Sequence, residues 1–250
     1  MMVHKIKQLI RALKWQRQIR AAISTQLSLL EADGLFALGG LTEEEEDGVR
    51  LLARMAQEGG GPIIEFGTLF GLTTLVLAQE KPAGVKVITV DNFCWNPFGL
   101  PPSLHHAFTS KILRPMISSG AVELVDSDSQ AFRAQYCGPV PSMVFLDADH
   151  SYQAVRDEIA WAKKMGVPII SGHDYGNPRF GVTRAVDEAF PEGVEVRGMV
   201  WSYCDLLRPP SGRNDECKNE NPAYLGGGAT GERHGGIRAD ALPTFVPAWP

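Results

Sequence analysis

The sequence predicts an α/β fold, a doubly wound and mainly parallel sheet with helices on both faces. Three observations carry this expectation. Five short apolar runs recur between Pro62 and Ile170, bounded by Gly, Pro or Asp. Helix-periodic stretches follow most of them, so strand and helix alternate as in βαβ units. Glycines and acids stand where these runs end, which is where open α/β sheets bind ligands.

Residues 1–41 read as a basic helical extension. Lys5, Lys7, Arg11, Lys14, Arg17 and Arg20 precede the first acid, Glu31, and Ile6, Ile10 and Leu13 share one helical side. Such a helix packs on the domain or on a partner chain, as in a homo-oligomer, or residues 1–20 rest on an anionic membrane surface. The domain proper is expected over 42–208. It starts with "LTEEEEDGVRLLARMAQEGGG", in which Thr42 and Glu45 form a capping box and Glu43 to Glu46 suit the positive helix end. The Glu run reads as a solvated first turn rather than a metal site. Strands are expected at Pro62–Phe66, Val85–Val90, Val122–Val125, Met143–Leu146 and Val167–Ile170. Helices are expected near Leu72–Gln79, His105–Ile117, Gln130–Tyr136, Tyr152–Lys164 and Val182–Phe190. "VEVRGMVWSYCDLL" is one long strand or a hairpin. Residues 209–250 hold seven Gly and six Pro with few clustered apolar residues, the composition of a disordered tail.

Composition narrows the function classes. With 250 residues, 44% hydrophobic and 21% charged, the chain has the make-up of a soluble globular protein. A net charge of −5 gives no reason to expect nucleic acid as a partner. Cys94, Cys137, Cys204 and Cys217 form no CxxC pair and read as free thiols of a reducing compartment, not a disulfide frame or zinc site. No apolar run approaches the roughly 20 residues that span a bilayer. The N-terminus lacks a signal-peptide core, so a cytoplasmic location and no membrane span are expected.

Read in order, the strand ends carry the chemistry. In "IIEFGTLFGLTT", Gly67 and Gly71 allow a tight turn and close backbone approach, and Glu65 could accept hydrogen bonds from a ligand's amine or hydroxyl. The spacing is G-x-x-x-G, not the G-x-G-x-x-G of dinucleotide sites, and a plain strand-to-helix turn would also produce it. In "VITVDNF", Asp91 falls 24 residues after Gly67, about where an acid meets a ribose diol. In "VELVDSDSQAF", Asp126 or Ser127 could reach an adenine edge; equally, Ser127 or Asp128 could serve only as an N-cap. Two acids without a Gly-rich phosphate nest suit a cationic nucleoside better than a pyrophosphate. "VFLDADHSYQAV" places Asp147, Asp149 and His150 at the mouth of a buried strand, to hold a metal, remove a proton, or cap the next helix.

The ordered set "EFGTLFG", "VDNF", "FLDADHSY" and "SGHDYGN" resembles the class I S-adenosylmethionine-dependent methyltransferases, and within them the macrocin-type sugar O-methyltransferase branch, over residues 42–205. The resemblance implies a Rossmann-like methyltransferase sheet and S-adenosyl-L-methionine as cofactor. By position it assigns the methionine part to Glu65, Gly67 and Gly71, the ribose to Asp91, and the adenine to Asp126 and Ser127. It further implies metal ligands at Asp147, His173 and Asp174, and a catalytic base at Asp149.

One departure bears on the metal, magnesium or manganese. The pair after the fifth strand is usually Asp-Asp or Asp-Asn in metal-dependent relatives, and here it is His173-Asp174. A histidine ligand suits manganese, iron or zinc better than magnesium. The second reading has no metal and makes His173 itself the base. The third has Asp149 and Ser151 only capping a helix. His150 and Tyr152 could line the same crevice, and Asn92–Phe108 reads as a lid in which Cys94 has no catalytic role. The leading expectation is O-methylation of a small-molecule or glycan hydroxyl. Its rivals are a nicotinamide-dependent oxidoreductase on a similar sheet and a non-catalytic interaction module that kept the fold.

Overall fold

Central strands buried on both faces read as unbroken apolar runs, and β1 (Ile63–Phe66), β4 (Met143–Leu146) and β5 (Ile169–Gly172) are buried at every residue. They sit in the middle of a sheet completed by β2 (Val87–Asp91), β3 (Val122–Asp126), β6 (Glu195–Arg197) and β7 (Val200–Cys204). The structure is a computed structural model that describes residues 40–56 and 60–205. Strand order is β3-β2-β1-β4-β5-β7-β6. Neighbours from β3 to β5 pair in parallel, and β7 runs antiparallel to both β5 and β6. The "long strand or hairpin" is therefore a hairpin, turning at Gly198–Met199 between paired Arg197 and Val200.

Alternation along the strands splits the core into two layers. Ile63, Val87, Met143, Phe145 and Ile169 face α1 (Glu43–Met55), α2 (Leu72–Glu80) and α3 (Pro102–Ser118), meeting Val49, Leu52, Leu77 and Leu113. Ile64, Phe66, Val144, Leu146 and Ile170 face α4 (Ser129–Gln135), α5 (Tyr152–Met165) and α6 (Val182–Ala189), meeting Phe132, Ile159 and Val186. The chain leaves β1 toward β2 on one side, while β4 lies on the other. The switch point thus falls between β1 and β4, and the crevice at their C-terminal ends is where a ligand is expected.

Two expectations are corrected. β5 starts two residues later than Val167, because Pro168 has no N–H to give to a sheet ladder. Cys94 and Cys204 are free thiols, but Cys137 is disulfide-bonded, against the reading of four free cysteines. The basic helix and the Gly/Pro-rich tail lie outside the described residues, apart from Gly40 and Leu41. Among the described residues no helix is long and apolar enough to cross a membrane.

Candidate active site

A crevice of about 1520 Å³ opens at the C-terminal ends of β1, β2, β4 and β5, and its walls include Gly67, Asp91, Ser127, Asp147, Asp149 and His173. Gly67 brings its two halves together. It follows β1 at φ 93°, and a Cβ there would sit 2.1 Å from the Asp147 carbonyl oxygen. Only glycine lets the ends of β1 and β4 approach this closely. Asp91, the last residue of β2, then ties down the loop after β1: Thr68 N and Leu69 N donate to its Oδ2, both at 2.9 Å, and Phe93 N donates to Oδ1 at 2.7 Å. A carboxylate offers about four lone-pair positions, so these three bonds leave roughly one for a ligand.

The loops at this end are held under strain. Among the described residues three non-glycines have positive φ, Leu69 (46°), Phe93 (56°) and Asp174 (62°), and each follows a strand at this end of the sheet. Such conformations cost about 1–3 kcal/mol each and persist where surrounding bonds over-determine them. For Leu69 and Phe93, α3 supplies those bonds. Leu69 O accepts from Thr109 Oγ1 at 2.6 Å and faces His105 Nε2 at 2.8 Å, while His105 Nδ1 meets Phe93 O at 3.3 Å. Both side chains are fully buried, so His105 anchors the loops after β1 and β2 from within.

Three expected cofactor residues are placed off the crevice lining. Glu65 is fully buried beneath it, accepting at Oε2 from the hydroxyls of Thr74 and Thr89, with Oε1 unpartnered. Burial pushes its carboxyl up to about 8 against those hydroxyl bonds. Gly71 packs on Leu113, where an added Cβ would come within 2.9 Å of Cδ2. Asp126 is exposed at the end of β3, paired in register with Asp91. Ser127 does line the crevice, and its N–H donates to Asp91 O at 3.1 Å. Of the two cap candidates, Asp128 is the N-cap of α4, accepting from Ala131 N at 2.7 Å.

The other half of the crevice gathers Asp147 from the end of β4 with His173 and Asp174 from the end of β5. One ligand atom from each lies within 4.8 Å of the others. His173 Nδ1 stands 3.6 Å from Asp174 Oδ2 and 3.9 Å from Asp147 Oδ1, and Asp174 Oδ2 also faces His150 Nδ1 at 3.5 Å. Burial would lower the His173 pKa, but the bond to Asp174 and the charges of Asp147, Asp174 and Glu45 push it up to about 9. Burial pushes Asp147 up to about 6 against the pull of His173 and His150. Burial also acts to raise Asp174, yet bonds from His173 and Asn177 hold it below the usual carboxylate range. Asp149 is exposed, its Oδ1 accepting from Ser151 N at 2.8 Å, and Ser151 in turn caps α5 by accepting from Ala154 N at 3.3 Å. The capping role is therefore real, and it leaves Asp149 on the crevice wall.

Glu45 departs from the solvated first turn expected of the Glu run. It forms the expected capping box with Thr42, yet it is 2% exposed and its Oε1 lies 3.4 Å from His173 Nε2. A signal was present: Glu45, Val49 and Leu52 fall at i, i+4 and i+7, so the carboxylate shares the inward stripe of α1.

No protein-family model matches the chain, and no curated protein matches it. Solved structures do. A protein from Corynebacterium glutamicum is 14% identical with a TM-score of 0.54, over 79% of this chain and 99% of that one. The TDP-rhamnose 3'-O-methyltransferase of calicheamicin biosynthesis is 15% identical with a TM-score of 0.51, over 76% and 91%. The O-methyltransferase TomG from Streptomyces achromogenes, solved with S-adenosylmethionine, is 17% identical with a TM-score of 0.50, over 72% and 87%. The fold is the Rossmann-like methyltransferase fold. In that fold the antiparallel β7 beside β5 replaces the all-parallel edge of the dinucleotide-binding sheet.

Proposed function

We propose that the chain is an S-adenosylmethionine-dependent methyltransferase acting on a hydroxyl of a small molecule or glycan, with a divalent ion at Asp147, His173 and Asp174. The observation that carries this is one continuous crevice with Asp91 and Ser127 in one half and the Asp147–His173–Asp174 cluster in the other. Its volume of about 1520 Å³ exceeds the roughly 300–1,000 Å³ typical of one small-ligand pocket, leaving room for cofactor and acceptor side by side.

The residues fit both groups. For the cofactor, Asp91 keeps about one acceptor position for a ribose hydroxyl, Ser127 stands at the adenine end, and Gly67 allows close approach. Glu65 acts from below as a neutral acid bracing Thr74 and Thr89. For the ion, two carboxylates and an imidazole make a mixed oxygen and nitrogen donor set that suits manganese better than magnesium. A bound divalent ion would lower the acceptor hydroxyl's pKa and fix its position. With S-adenosylmethionine bound, its sulfonium methyl would pass to the acceptor hydroxyl, the C–O bond forming as the C–S bond breaks to leave S-adenosylhomocysteine. Asp149 is the side chain that would take the hydroxyl proton. His173 is hemmed by Asp174, Asp147 and Glu45 on both ring nitrogens, which suits a ligand better than a base.

A nicotinamide oxidoreductase finds no support: the G-x-G-x-x-G turn is absent from the β1 loop, and the sheet ends in an antiparallel strand. The test is calorimetry with S-adenosylmethionine, S-adenosylhomocysteine and NAD, with and without manganese. The expected result is binding of both sulfur nucleosides and none of NAD. NAD binding alone would reverse the assignment.

A further inference from the structure

We propose that Glu45, on the helix that precedes the sheet, is the positioning residue for His173, taking the imidazole Nε2–H so that Nδ1 is presented to Asp147 and Asp174. The inference rests on the metal-site reading above and adds a residue from a distant part of the chain. The imidazole is bracketed. Nδ1 faces the carboxylates of Asp174 and Asp147 at 3.6 and 3.9 Å, and Nε2 faces Glu45 Oε1 at 3.4 Å. Nε2 is buried with no hydrogen-bond partner, and Glu45 Oε1 lies 3.4 Å away, near enough to accept its proton once ring and carboxylate align.

Glu45 cannot easily turn elsewhere. Its Oε2 accepts from Thr42 N at 2.9 Å, and its Oε1 accepts from Met199 N at 2.8 Å in the turn between β6 and β7. The same turn presses on its stem, since a Cβ at Gly198 would come within 2.6 Å of Glu45 Cγ. The carboxylate is thus pinned by its own helix cap and by the edge hairpin, with one oxygen beside the ring. A histidine that ligates through one nitrogen needs the other to carry the proton, and the acceptor of that proton fixes tautomer and ring orientation. Glu45 meets that need, and a solvated first-turn glutamate would not.

The experiment separates this role from the structural cap. Manganese affinity is measured by calorimetry on wild type, Glu45→Gln and Thr42→Ala, with thermal unfolding of each. Thr42→Ala removes the cap acceptor without touching the ring, and its manganese affinity is expected within about twofold of wild type. Glu45→Gln loses the charge that holds the imidazole, and its affinity is expected to fall about 10- to 100-fold. Folded Glu45→Gln with wild-type affinity would overturn the proposal, as would an equal loss in both variants. Wild type that binds no manganese would instead overturn the metal reading, and this inference with it.

Discussion

Replacing Gly67 by Ala tests whether the two halves of the crevice are built around one close contact. The added Cβ would lie 2.1 Å from Asp147 O, 2.5 Å from its carbonyl carbon and 2.9 Å from Ala148 N. All three are backbone atoms, so no side-chain rotation relieves the clash. The ends of β1 and β4 would have to separate by about 1 Å to reach the 3.0 Å that real Cβ contacts respect. Overpacking of this kind costs about 1–3 kcal/mol, and an L-residue in left-handed backbone adds about 1–2 kcal/mol. Gly84 is the matched control, with φ 79° and nothing within 4 Å of an added Cβ, so Gly84→Ala should show only the second cost. At about 2–4 °C per kcal/mol for a domain of this size, Gly67→Ala should lower the thermal midpoint by roughly 4–20 °C and Gly84→Ala by roughly 2–8 °C. Calorimetry on the same samples should show S-adenosylhomocysteine binding weakened in Gly67→Ala and intact in Gly84→Ala. Equal midpoints and equal binding in the two variants would refute the reasoning.

Other outcomes follow from the same geometry. Asp91→Ala should cost about 1–3 kcal/mol of S-adenosylhomocysteine binding, the scale of hydrogen bonds to a charged group, and should also lower the midpoint, because Thr68, Leu69 and Phe93 lose their acceptor; unchanged affinity by calorimetry would remove Asp91 from the ribose role. Glu65 is raised from 4.5 to about 8, so the folded state holds a proton that the unfolded state loses first. Its contribution is fully present below pH 4.5 and is lost as pH rises through 8. Glu65→Gln cannot ionise, so its urea-unfolding stability relative to wild type should improve between pH 5 and pH 8; a constant difference would count against the buried neutral acid. Asp149→Asn should slow turnover on an identified acceptor by roughly 10²–10⁴ with manganese affinity unchanged, and a matched loss of affinity would make Asp149 a ligand rather than the base.

Much of the fold was legible because its central strands are covered on both faces, so each appears as an apolar run with no polar interruption to confuse its period. Glu65 is the instructive exception. It interrupts the first run, which made it look like a ligand group, yet strand alternation puts it beside Ile63 on the layer roofed by α2, where Thr74 and Thr89 receive it. That Asp147, His173 and Asp174 would meet was readable since they end neighbouring strands, and topology alone brings them together. Glu45 and His105 were not, because their partners lie far away in sequence. The Glu45 contact needs the edge hairpin to fold back on α1, and the His105 contact needs α3 to pack over two strained loops. The register that sets Asp126 beside Asp91 leaves it outside the crevice lining, whereas Ser127, one residue on, lines it, a difference of one position that the sequence left open.

A crystal structure of the protein with S-adenosylhomocysteine and manganese tests the central claim most directly. The expected result has the ribose hydroxyls at Asp91, the adenine beside Ser127, and the sulfur turned toward an anomalous-scattering peak ligated by Asp147, His173 and Asp174. A ligand bound outside this crevice, or bound within it with its sulfur turned away from Asp147 and His173, would contradict it.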